Sequence, residues 1–230
     1  MNKDKIFLLD FDGVLFDTAK EVYKICELLA NNIDDYELNL SYESFLIFRK
    51  QLTNAWQINR ILNKNYRDYD FSSKLDLIPN KSDLEFQDIF FEYRKKYRRN
   101  NKWINEISPH LFFRDLLPYI ERNPRQFKVI STRDALSIKE MLRLYLKKDI
   151  EVCGQEYIRK YGNKRNAAKV LNWLSRDSTI FIDDMIEHIK LMENHTFMSI
   201  LANWGYGEEL EISKTEKYCL KIIKENIVLK

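Results

Sequence analysis

Asp10 and Asp12 stand two residues apart, directly behind the apolar run Ile6-Phe7-Leu8-Leu9 and ahead of Gly13. Two carboxylates held that close repel each other, and the arrangement is stable only where a cation, a proton or a substrate group offsets the repulsion. A hard divalent metal would do so, although an isolated D-x-D-G also reads as an ordinary turn. Three later segments bear on the choice. Phe127-Lys128-Val129-Ile130 ends in Ser131, Thr132 and Arg133, two hydroxyls and a guanidinium, groups that suit phosphate oxygens. Thr179-Ile180-Phe181-Ile182 ends in the paired acids Asp183 and Asp184, and Lys164 opens the helical pattern Ala167, Ala168, Leu171, Leu174 just before that run.

The elements that must carry these residues follow from periodicity. Short apolar runs without polar alternation predict strands buried on both faces, as in a parallel sheet, and ligands bind beyond the carboxyl ends of such strands. From Ser108-Pro109 onward, strands at Phe127, Ile150 to Cys153, Thr179 and Phe197 alternate with helices ending near Glu121, spanning Ala135 to Lys147, and beginning at Lys164 and Ile186. This βα series, closed by a final helix from Ser213 to Asn226, predicts an α/β fold with a Rossmann-like parallel sheet core. The interval from 18 to 105 is different. Thr18 is a plausible N-cap before Val22, Ile25, Cys26 and Leu29, and Ser41 precedes Phe45, Phe48 and Leu52. Ser82 with Glu85 reads as a capping box before Phe86, Phe90, Tyr93 and Tyr97. An inserted all-helical domain over 18–105 is expected, with 1–17 and 106–230 forming the core.

Acid pair, hydroxyl, lysine and acid pair, in that order and at strand or helix ends, resemble the four motifs of the haloacid dehalogenase-like superfamily. Phe197-Met198-Ser199-Ile200 followed by Trp204-Gly205-Tyr206-Gly207 is similar to the closing strand and turn of its phosphoglycolate-phosphatase-like members. The resemblance implies a magnesium-dependent phosphomonoester hydrolase. Asp10 would be the nucleophile and form an aspartyl-phosphate, and Asp12 the group that protonates the leaving oxygen and then deprotonates water. Ser131 and Lys164 would bind the transferring phosphoryl group, with Lys160 as the rival lysine, and Thr132 would replace Ser131 if the strand runs one residue longer. Gly13, Thr132 and Arg133 would contact substrate, Arg133 being either an anchor or a helix-flanking charge. Mg2+ would be held by Asp10, the carbonyl of Asp12, Asp183 and Asp184. No proline follows Lys164, unlike the Lys-Pro of many relatives with a cap domain. Since the insertion leaves the core behind the nucleophile loop and returns before the hydroxyl-bearing strand, it is expected to be a mobile cap, jointed near Phe16–Thr18 and Asn105–Pro109, that sets specificity.

The remaining features read as ordinary. Asp17 is expected to cap the first inserted helix, the alternative being contact with the metal shell through water; Trp56, Phe90, Phe91, Tyr93 and Trp103 to form the insertion's core; His110, His188 and His195 to be helix or loop residues. Cys26, Cys153 and Cys219 are odd in number and lack metal-ligand spacing, so they read as buried thiols. The four apolar residues before Asp10 are too few for a signal peptide, and no run is long enough to span a bilayer, so a cytoplasmic protein that does not act on a membrane is expected; the resemblance implies a small phosphorylated metabolite, such as a sugar phosphate, as its substrate. A net charge of +3 is too mild to argue for nucleic acid, though Arg94-Lys95-Lys96-Tyr97-Arg98-Arg99 with Lys102 reads as a solvated helix end or a phosphate-attracting rim. The rival activities are a phosphomutase with the same residues, a nucleic-acid end phosphatase using that basic run, and a non-catalytic binding protein on the same fold. A hydrolytic dehalogenase is disfavoured, because it needs neither Asp12 nor the second acid pair.

Overall fold

A computed structural model of the chain describes residues 4–66, 78–99, 101–207 and 209–227. The chain divides into two compact units, one formed by 1–17 with 109–230 and the other by 18–108.

The first unit is built on five parallel strands: β1 (Ile6–Leu9), β2 (Phe127–Ile130), β3 (Glu151–Cys153), β4 (Thr179–Asp183) and β5 (Met198–Leu201), in the spatial order β3-β2-β1-β4-β5. Phe7, Leu8 and Leu9 are consecutive and all fully buried. Successive side chains of a strand point to opposite faces, so both faces of β1 are covered, which is why its sequence is uniformly apolar. One core cluster joins Leu8, Ile130, Phe181 and Leu201 of the strands to Ile158, Ala167, Ala168 and Ile189 of the helices Gln155–Tyr161, Lys164–Val170 and Ile186–Met192.

Register fixes what meets at the carboxyl edge. Leu9 lies opposite Val129 on one side and Ile182 on the other, so Asp10 emerges level with Ile130 and Asp183, with Ser131 one residue beyond. The Asp10 N–H still donates to the Ile182 carbonyl, at 3.0 Å. The chain steps from β1 to β2 on one side and later crosses to β4 on the other. Asp10 and Asp183 therefore sit where the strand order reverses, the place at which an open α/β sheet leaves a crevice for a ligand.

The second unit is helical, with α-helices Ala19–Asn32, Tyr42–Arg49, Asn59–Leu62 and Lys81–Arg98 and short 3-10 turns, and it includes a bridge between Tyr36 and Asn63. Its core joins Val22, Ile25, Cys26, Leu29, Phe45, Phe86 and Phe90, with Phe91 and Tyr93 packed at its edge; Trp56 and Trp103 are buried as well. Residues 67–77 of the predicted helical interval lie outside the described residues.

Several local expectations need correction. The helix over Phe86 starts at Lys81, because Asn80 accepts from the Asp83 N–H while Asp83 reaches back to the Asn80 N–H; this box forms two residues ahead of the expected Ser82-Glu85 one. The helix from Ala135 ends at Leu142, well short of Lys147. Gln155–Tyr161 is a helix that periodicity did not signal, since it turns only Gln155 and Ile158 inward. Among the described residues no helix is long and apolar enough to cross a membrane, and all three cysteines are free and buried.

Candidate active site

Lys164 holds the site together. It occupies the first position of its helix, its side chain is 1% exposed, and its ammonium lies 2.9 Å from Asp10 Oδ1 and 2.8 Å from Asp183 Oδ2. Burial disfavours the charge, but Asp10 and Asp183 hold the ammonium protonated and lift its pKa above the usual lysine value. Lys160, the rival, is exposed one turn earlier on the preceding helix and takes no part.

The acids differ in their surroundings. Burial pushes the Asp10 carboxyl up to about 6 against the pull of Lys164, with the charge of Asp183 adding to the rise. Burial opposes ionisation of Asp183 too, yet His188 and Lys164 hold it well below the usual carboxylate range. Asp183 Oδ1 accepts from the Met185 N–H at 2.9 Å, and His188 Nδ1 lies 3.1 and 3.0 Å from its two oxygens. Asp184 Oδ2 accepts from the Tyr206 N–H at 2.6 Å, and the Tyr206 hydroxyl donates to Asp17 Oδ1 at 2.7 Å. Gly13 sits at φ +86°, and a Cβ there would collide with the Asp184 carboxylate, so the loop behind Asp12 can approach Asp184 only because it carries glycine.

The hydroxyl strand ends nearby. Ser131 is buried, its N–H donates to the Cys153 carbonyl at 3.0 Å, and its Oγ accepts from the Arg133 N–H at 3.3 Å. Thr132 is half-buried. The Arg133 guanidinium is fully buried and donates through Nη1 to Asp12 Oδ1 at 3.2 Å.

Asp10, Asp183 and Asp184 each offer an oxygen, all within 4.8 Å of one another. Asp10 Oδ1 is buried and accepts no hydrogen bond, although the Lys164 ammonium faces it. All three are buried, and an all-oxygen donor set of this kind suits a hard divalent cation. The residues present therefore fit a metal.

Two residues outside the predicted set belong to this cluster. His188, expected to be an ordinary helix residue, contacts Asp183; the signal was its place in the first turn of the helix that follows the acid pair, a turn that folds back towards the strand end. Tyr206, seen in sequence only as part of a closing turn, links Asp184 to Asp17. The N-cap position of the first inserted helix falls to Thr18, without a side-chain cap bond, and Asp17 takes the Tyr206 hydroxyl. In the basic run, Arg94 belongs to neither of the expected readings: it is 4% exposed and its Nε lies 3.3 Å from Glu21 Oε1 in the second unit. The Lys102 side chain lies outside the described residues.

No known protein family and no curated protein matches the sequence. Solved structures do match its fold. A predicted phosphatase from Clostridium acetobutylicum superposes with a TM-score of 0.65 at 18% identity, over 97% of this chain and 100% of the other. A haloacid dehalogenase-like family hydrolase from Streptococcus pneumoniae gives 0.64 at 14% identity, over 97% and 100%. The β-phosphoglucomutase of Clostridium difficile gives 0.61 at 17% identity, over 97% of each chain. The fold is thus α/β and that of haloacid dehalogenase-like proteins, as the order of motifs implied.

Proposed function

We propose that the protein is a magnesium-dependent phosphomonoester hydrolase acting on a small phosphorylated metabolite through an aspartyl-phosphate on Asp10. The observation that carries this reading is the buried Lys164 ammonium shared between Asp10 and Asp183, with Asp184 beside them, at the switch point of the sheet. The fold shared with proteins named phosphatases supports it.

In this reading the Asp10 carboxylate attacks phosphorus in line while the bond to the leaving oxygen breaks, and Asp12 supplies the proton that oxygen needs. Asp12 then takes a proton from the water that attacks the aspartyl-phosphate, releasing phosphate and restoring Asp10. Lys164 has three N–H donors, of which two face Asp10 and Asp183; the third and the Ser131 hydroxyl are the donors for the phosphoryl oxygens, whose charge spreads in the transition state. Mg2+, held by Asp10, the Asp12 carbonyl, Asp184 and Asp183, would neutralise the charge that otherwise repels a carboxylate from a phosphate dianion. Met185, Lys164 and His188 already crowd the oxygens of Asp183, so its larger part in this scheme is to orient Lys164.

The helical unit, inserted directly behind the two acids in sequence, is the candidate source of substrate selection. Substitutions on it should then change which phosphoester is preferred while leaving metal dependence intact. A phosphomutase remains the second reading because one protein of this fold is named a β-phosphoglucomutase. Hydrolysis of p-nitrophenyl phosphate and of a broad panel of phosphorylated metabolites, with magnesium and with chelator, tests the proposal. Turnover that chelation abolishes is expected; inertness towards every compound with magnesium present would refute it. Transfer of label to a second substrate hydroxyl rather than to water would favour the mutase.

A further inference from the structure

We infer that Arg133 is a positioning residue for Asp12, an inference that rests on the phosphatase reading and refines it: the guanidinium sets where the acid-base carboxyl stands and does not bind substrate. Arg133 has no exposed side-chain surface, so a phosphate arriving from solvent does not meet it, whereas Asp12 is 15% exposed. Burying a guanidinium is costly unless carboxylates and hydroxyls compensate it, so the partners of a fully buried arginine show what it is there to hold.

Those partners run from a rigid element to the reactive loop. Nε donates to Ser137 Oγ at 2.8 Å. Ser137 lies in the first turn of the helix Ala135–Leu142, with its N–H and hydroxyl both bonded to the N-cap residue Asp134. The guanidinium carbon stands 5.6 Å from the centre of the Phe11 ring. The backbone carbonyl of Arg133 accepts from Gln155 at 2.8 Å. Since the five donors of a guanidinium lie in one plane, fixing Nε on the helix fixes the direction of Nη1, and Nη1 points at Asp12 Oδ1. Holding one oxygen sets the side-chain rotamer and so the place of the other. Proton transfer to a leaving oxygen needs donor and acceptor within roughly 2.6–3.2 Å, so a small swing of Asp12 is enough to lose it.

Leaving-group chemistry separates this role from a merely structural one. p-Nitrophenolate departs without a proton, whereas an alkoxide needs one, so only alkyl phosphates depend on a well-placed Asp12. The test compares kcat/KM, which ends at phosphoryl transfer to Asp10, for p-nitrophenyl phosphate and for the best alkyl phosphate of the metabolite panel. The wild type, Arg133→Met and Arg133→Lys are measured, with magnesium affinity followed by calorimetry. Arg133→Met should lower the alkyl value by about 10²-fold or more, the scale of a lost general acid, while the aryl value and the magnesium affinity change little; Arg133→Lys should fall between. In an Asp12→Asn background neither substitution should widen the gap further, because both act through one group. Equal losses on the two substrates, or a parallel loss of magnesium affinity, would overturn the inference. If Arg133→Met does not fold, Arg133→Lys and Ser137→Ala, which releases Nε, carry the same comparison. A wild type inert on both substrates is a different outcome, for it would refute the phosphatase reading itself and take this inference with it.

Discussion

Both units of this protein bury charged side chains, and the balance of charge differs between them. Among the described residues of the helical unit the buried charges come in matched pairs. Arg60 Nη2 donates to Asp83 Oδ2 at 2.9 Å, with Asn59 on the other oxygen at 3.0 Å, and Arg94 meets Glu21. Each of these pairs is neutral as it stands. At the carboxyl edge of the sheet, Asp10 and Asp183 share the ammonium of Lys164, His188 also lies against Asp183, and the carboxylate of Asp184 stands close by. A matched pair is compensated within the fold, and replacing it with apolar residues can be harmless. In the acid cluster, by contrast, burial lifts Asp10 to about 6 against the pull of Lys164, with the charge of Asp183 adding to the rise. In the proposed function, this is where a cation and a phosphoryl group would complete the charge balance.

The largest effect is expected from removing a member of the acid cluster. Asp10→Asn should lower turnover by at least about 10⁴-fold, the scale seen when a nucleophile that acts in concert with its neighbours is deleted. Its melting temperature without metal should not fall, because the substitution removes surplus charge at constant size; calorimetry and an aryl phosphatase assay check both. Substantial residual activity would dismiss Asp10 as nucleophile.

Asp12→Ala and Asp184→Ala should then part company. Asp12→Ala should slow alkyl phosphate hydrolysis by about 10²–10⁴-fold at every magnesium concentration, since its backbone carbonyl survives. Asp184→Ala should instead shift the magnesium requirement upward, so that added metal partly restores the rate. Equal rescue of both by metal would erase the distinction between ligand and acid-base group.

In the helical unit the expected effect is on stability. Glu21→Ala leaves Arg94 buried without this carboxylate and should cost about 3 kcal/mol or more, lowering the melting temperature by several degrees whether or not magnesium is present. A loss that magnesium reverses would show that this pair is coupled to the metal after all.

The smallest effect is on pH dependence. In the metal-free protein the Asp10 carboxyl titrates at about 6, above its value in the unfolded chain, so the fold holds a proton the unfolded chain has already lost. The corresponding stability is present in acid and is lost as pH rises from about 4 through 6. Asp183, whose carboxyl is depressed, acts in the opposite sense, but only as pH falls below the ordinary carboxylate range. Thermal melts between pH 4.5 and 7.5 should therefore show magnesium stabilising most at the upper end, where Asp10 is ionised; stabilisation independent of pH would contradict this assignment.

The placement of the acids, Ser131 and Lys164 was legible because each stands at the end of an apolar run or the start of a helical one, where local pattern and topology agree. The partners of those residues were not. His188 touches Asp183 because a strand-to-helix turn folds back, and Tyr206 reaches both Asp184 and Asp17 from a loop more than 20 residues away, as the 22-residue separation from Asp184 records. Nothing in the stretch Ser131-Thr132-Arg133 says that the guanidinium turns inward towards Asp12, because that direction is set by Ser137 and Phe11. The start of the Lys81–Arg98 helix was missed for a local reason: Asn80 with Asp83 and Ser82 with Glu85 both fit a capping box, and the sequence does not rank them. Arg94 looked solvated beside Lys95 and Lys96, but its position on the helix faces Glu21.

The most direct test is where a phosphoryl group comes to rest. The protein is mixed with magnesium and a radiolabelled phosphomonoester, quenched in acid within the first turnover and digested, and the labelled peptide is sequenced by mass spectrometry. The account predicts label on Asp10 in the wild type and none in Asp10→Asn. Turnover with label on another residue, or with no labelled protein at any quench time, would contradict it.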